Sequence, residues 1–195
     1  MKRKIVTDKE CRIDLANELP KLFTAFKNAV TMFQKEIVQT PPQSRARAFE
    51  ANLLNSKMIQ SIQETFPRNW KFGKYKRFIL NLSGYTVLFK KLNSKDMPMN
   101  IRTSHSMAIY NQLQTSLFDN QTLSIDPIVF FGYKKGKFGD ILDPKLVYVD
   151  EDQVKWTLTE DMIVERKVIT MTRKPVIKAL PKLKQNIEQN KRKTK

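Results

Sequence analysis

The 195-residue chain is poor in the residues that build most catalytic and metal centres. It has one cysteine, Cys11, so an internal disulfide and a cysteine zinc site are both excluded. It has one histidine, His105, so a metal site with two or three histidines is excluded, and a serine triad would have to use that residue. Only five glycines are present, which argues against a glycine-rich phosphate loop. No run of eighteen apolar residues occurs, so no spanning helix is expected. Met1-Lys2-Arg3-Lys4 looks like the start of a secretion signal, but charge returns at Asp8 and Lys9 before any apolar stretch. A reducing, cytoplasmic setting is expected, with Cys11 an ordinary thiol.

Acidic residues are also scarce, 19 against 36 Lys and Arg, for a net charge of +17. Residues 166–195 hold eleven of the basic residues and one acid, Glu188. Residues 1–165 remain basic, with 25 Lys and Arg against 18 acids. A moderately basic body therefore carries a strongly basic arm, and such a field attracts polyanions, nucleic acid above all. Lysines outnumber arginines 26 to 10, which favours nonspecific phosphate contact over bidentate base readout.

With 41% hydrophobic residues, including 12 Phe, the chain can form a core. Leu15, Leu19, Leu22, Phe26, Val30, Phe33 and Ile37 recur at helical spacing, and Pro20 within the stripe predicts a short helix followed by a longer one, or a kink. A second helix is expected from a cap at Ser44 to Phe66, ending at Pro67 and packing on the first as a hairpin. Aromatic and β-branched runs at Tyr75–Leu82 and Tyr85–Leu92, joined by Asn81-Leu82-Ser83-Gly84, predict a β-hairpin. Phe78, Leu80 and Leu82 share one face, as do Tyr85, Val87 and Phe89. A short strand at Pro98–Thr103, a helix at Ser104–Phe118, a strand at Ile128–Tyr133 and a hairpin across Asp150-Glu151-Asp152 complete the expected order. This is an α+β fold: an N-terminal helical hairpin on a mostly antiparallel sheet, with one inserted helix. The expected division is a single domain over 1–165 and a flexible basic arm over 166–195.

Two segments interleave aromatics with cations. Phe66–Phe78, FPRNWKFGKYKRF, has five of each and no acid. Aromatic faces stack bases while cations hold phosphates, so Arg68, Trp70, Lys71, Lys74, Tyr75, Lys76 and Arg77 are the candidate contact patch. Competing with this is a core role for Trp70, Phe72 and Phe78. Phe130–Phe138, FFGYKKGKF, adds Lys134, Lys135 and Lys137. The arm adds Arg173, Lys174, Lys191, Arg192 and Lys193, and Lys2, Arg3 and Lys4 extend the attraction at the other end. A membrane surface fits less well, because the arm lacks a strong amphipathic stripe with aromatic anchors.

The order of helix, strands, helix and strand across residues 44–133 is compatible with the restriction-endonuclease-like core. That resemblance implies an acid two residues before a lysine on the strand, for Mg²⁺. Leu88 stands in that place before Lys90, and Phe89 before Lys91, although Glu50 is available as a helix-borne ligand. Asp150-Glu151-Asp152 reads as a turn rather than a metal site, and His105 has no nearby acid to orient it. The resulting expectation is a nonenzymatic nucleic-acid-binding accessory protein, for DNA or RNA, of a mobile element or phage, with no cofactor and no metal. The alternatives are an inhibitor or adaptor for an acidic protein and a nuclease fold lacking its full motif.

Overall fold

Pro20 divides the N-terminal stripe. In the computed structural model, which describes residues 4–112, 126–137 and 139–163, a short helix α1 (Asp8–Asp14) precedes a long helix α2 (Leu19–Ile37). Proline lies in the first turn of α2, where its missing N–H has no helical acceptor to lose. Thr7 and Glu10 cap α1 reciprocally: Glu10 N–H donates to Thr7 Oγ1, and Thr7 N–H donates to Glu10 Oε2 at 2.8 Å. Helix α3 (Phe49–Thr65) starts later than the Ser44 cap suggested, because Pro42–Ser44 forms a 3₁₀ turn. Helices α2 and α3 pack together as a hairpin, with Ser61 Oγ donating to Ala25 O at 2.8 Å and Lys57 ion-paired to Glu36.

Six strands form one sheet in chain order: β1 (Trp70–Phe72), β2 (Phe78–Leu82), β3 (Tyr85–Lys91), β4 (Ile128–Lys135), β5 (Ile141–Asp150) and β6 (Gln153–Thr159). All neighbours are antiparallel except β3 and β4, which run parallel, Thr86 opposite Ile128. A parallel pair needs a crossover. The chain leaves the sheet after Lys91, forms helix α4 (Ser104–Tyr110) and returns at Ile128. Gln112 clamps that return, its Nε2 donating to Ile128 O and Val149 O while Ile128 N–H donates to its Oε1.

Alternation gives the sheet two cores. Phe78, Leu80, Leu82, Tyr85 and Val87 pack with the N-terminal helices, as does Phe131 against Phe23 and Phe26. Ile79, Leu88, Phe130, Val147 and Val149 pack with Ile109 and Tyr110 of α4. Gly132 is required where the chain leaving β3 crosses β4: a Cβ there would overlap Leu92 Cγ. On β6, Trp156 stacks on Tyr148 and its Nε1 donates to Val6 O, tying the N-terminal segment to that edge.

Three further local expectations differ from the structure. The strand expected from Tyr75 begins at Phe78, because Tyr75 and Lys76 are left-handed (φ 59° and 54°), and Trp70–Phe72 supplies an edge strand. Pro98–Thr103 is not a strand; a single bridge joins Pro98 to Leu92. Helix α4 is capped by Thr103 rather than Ser104, and of the helix expected to Phe118, residues 113 onward lie outside the described residues. The arm from 166 also lies outside them.

Candidate functional site

The β2–β3 hairpin turns at Ser83 and Gly84, both with positive φ, as a two-residue turn of this hand requires. Its register pairs Leu80 with Val87 and Leu82 with Tyr85. Continued to the open end, the register sets Phe78 beside Phe89, with ring centroids 5.9 Å apart, and Arg77 beside Lys90. Two cations thus meet where the hairpin ends, and both are partly buried.

A pocket of about 560 Å³ opens at this point. Helix α3 supplies Asn55, Met58, Ile59 and Ile62. Tyr75, Lys76, Arg77 and Phe78 form a second wall, Leu88, Phe89 and Lys90 a third. The crossover supplies Met99, Asn100, Ile101 and the first turns of α4, and Phe130 lies at the base. No Asp or Glu is among the lining residues, against three cations. Burial lowers the Arg77 pKa, and burial followed by the Arg77 charge lowers that of Lys90. Among the described residues Lys90 makes no ion pair. A desolvated cation beside another cation is costly unless an anion joins them.

The aromatic–basic segment thus divides. Trp70 and Phe78 are packing residues, in contact with each other and with Phe72. Phe72 and Tyr75 keep 51% and 82% of their surface exposed, enough to meet a ligand. Arg68, Lys71 and Lys76 are exposed, and Lys74 lies in the turn before Tyr75. Of the segment's candidates, Tyr75, Lys76 and Arg77 line the pocket. Lys134 and Lys135 do not: Lys134 pairs with Asp96 (2.7 Å) and Asp143 (3.2 Å), and Lys135 with Glu50 (2.7 Å). Lys137 is exposed. Lys2, Arg3, Arg173, Lys174, Lys191, Arg192 and Lys193 lie outside the described residues, whereas Lys4 sits 6.0 Å from the centre of the Tyr85 ring.

The pocket-lining cation that sequence reading missed is Lys90. Its signal is the mirrored order Lys76-Arg77-Phe78 and Phe89-Lys90-Lys91 about the Ser83-Gly84 turn.

Several candidates for catalysis or metal binding are otherwise engaged. Leu88, in the acid's place before Lys90, is buried on the α4 side, and Phe89 packs on Phe78 and Phe131. Glu50 bridges Arg45 and Lys135, and its pKa is lowered, chiefly by the hydrogen bond from Lys135. Glu151 and Asp152 form the β5–β6 turn and pair with Lys155 and Arg102. Cys11 is fully buried, and burial pushes its thiol up to about 12, so it is unreactive in the folded chain. Among the described residues no three His, Cys, Asp or Glu converge as a metal site, and no helix is long and apolar enough to cross a membrane. Compared with family models, curated proteins and solved structures, the chain matches none.

Proposed function

We propose that the protein binds nucleic acid without catalysing a reaction on it. The pocket that sets Arg77, Lys90 and Lys76 around a lining free of carboxylates carries this reading. Exposed Arg68 and Lys71 extend the charge along the edge strand, and the basic arm adds long-range attraction. The contacts are mainly to phosphate, as the excess of lysine favours.

Anisotropy titration of labelled single-stranded DNA, duplex DNA and RNA tests this over a range of salt. With six or more phosphates neutralised, affinity falls about a thousandfold between 50 and 200 mM salt. Arg77→Gln weakens binding, as does replacing Lys191, Arg192 and Lys193 by Gln. Binding that ignores salt, or no binding to any polymer, ends this reading. A stoichiometric acidic protein recovered from nuclease-treated lysate would then move the surface to the adaptor class.

One observation favours a second, related reading. Strands β3 and β4 run parallel with α4 between them, an order compatible with a restriction-endonuclease-like core. With Leu88 and Phe89 in the acid positions, such a core grips DNA and does not cut it. Plasmid nicking in Mg²⁺ that disappears in Glu50→Ala would overturn the nonenzymatic half of the proposal.

A further inference from the structure

The pocket has a second property besides charge. Nine large apolar or aromatic side chains are exposed among the described residues, and three of them, Tyr75, Met99 and Ile101, line this one site. Ile101 keeps 87% of its surface exposed. Singly scattered apolar residues need no explanation, but a group gathered around a pocket marks a binding surface. A phosphate alone gives no reason for them. A duplex backbone gives none either, since it presents sugar and phosphate outward and keeps its bases stacked inside.

We propose that this pocket takes one unstacked nucleotide, its phosphate between Arg77 and Lys90 and its base against Tyr75, Met99 and Ile101. The inference rests on the nucleic-acid reading above and adds a substrate preference to it. Ligand pockets span roughly 300–1,000 Å³, so a cavity of this size suits a single nucleotide and excludes a helix. Unpaired bases lie on aromatic and apolar side chains in proteins that recognise single strands, and the stacking tolerates any base. Asn55, in the α3 wall, offers an amide to a base edge. The protein therefore favours strands with unpaired or terminal nucleotides over continuous duplex.

The test uses the full chain. Calorimetry with 5′-AMP, adenosine and inorganic phosphate is set beside anisotropy with single strands and blunt duplex. One 5′-AMP binds per chain, with adenosine and phosphate each weaker by about tenfold or more. Lys90→Gln weakens 5′-AMP and single strand by about tenfold, and duplex by much less. A 5′-phosphorylated strand that outcompetes its 5′-hydroxyl form makes the bound unit a strand end, and equal binding makes it an internal unpaired nucleotide. Lys90→Met retains the packing stem, so a melting temperature no lower than the parent's, with the 5′-AMP-induced rise lost, separates binding from folding. Equal losses for single strand and duplex in both Lys90→Gln and Arg77→Gln, with no 5′-AMP bound, overturn the inference and leave nucleic-acid binding standing. Binding of 5′-AMP with no affinity for any polymer does the reverse.

Discussion

Two pairs of cations lie on this sheet, and their surroundings are opposite. Lys134 and Lys145 share Asp96 and Asp143, with four ion pairs between 2.7 and 3.2 Å. Burial alone would raise the Asp96 pKa, but the two lysines outweigh it and hold the carboxyl below its usual range. Lys134 is raised in return, chiefly by its hydrogen bond to Asp96. At the open end of the β2–β3 hairpin, Lys90 has Arg77 for a charged neighbour and no acid in the pocket around it, and its pKa falls. The same short loop after β3 that carries Asp96 to the first pair carries no carboxylate to the second. The first pair is neutralised by its own acids, whereas among the described residues Lys90 makes no ion pair.

The comparison breaks hardest if the first pair is deprived of its acids. Asp96→Ala with Asp143→Ala leaves Lys134 and the nearly buried Lys145 facing each other, and urea unfolding should show a loss of about 3 kcal/mol. Supplying the missing acid is the converse. Met99→Glu places a carboxylate at the mouth of the pocket, so affinity for single-stranded nucleic acid falls more than about tenfold while stability changes by less than about 0.5 kcal/mol. Lys90→Met removes the desolvated charge and keeps its stem, so the variant is more stable by about 0.5–1 kcal/mol and binds more weakly. The smallest effect is in pH. Because the folded pKa of Lys90 is depressed, its charge penalises folding below that value, and the penalty fades as pH rises toward the ordinary 10.5. The stability gap between Lys90→Met and the parent therefore narrows with rising pH, as paired melts from pH 7 to 10 would reveal.

Local pattern made much of the fold legible. The stripe from Leu15 to Ile37 is a helix face broken at Pro20, and the two tight hairpins follow from alternating runs flanking turn residues. What stayed hidden depends on distant partners. Nothing near Tyr75 or Lys76 announces consecutive left-handed residues, because neither is Gly, Asn or Asp. Pro98–Thr103 has the composition of a strand but lacks a neighbour to pair with along its length. For the site, Tyr75, Lys76 and Arg77 stood out by composition, whereas Lys90 acquires meaning only from the hairpin register. Lys134 and Lys135 looked equivalent to them until the folded chain brought Asp96, Asp143 and Glu50 alongside.

The parallel pairing of β3 with β4 also sets an order of assembly. The Ser83-Gly84 hairpin closes over two residues, but joining Thr86 to Ile128 requires the whole crossover to be in place. Contacts distant in sequence form late, because loop entropy must be lost before they are gained. Arg77 and Lys90 therefore come together early, while the Met99–Ile101 wall and the Phe130 base arrive with the crossover. On the reading proposed above, attraction by charge is thus available before the apolar wall that would select an unpaired base.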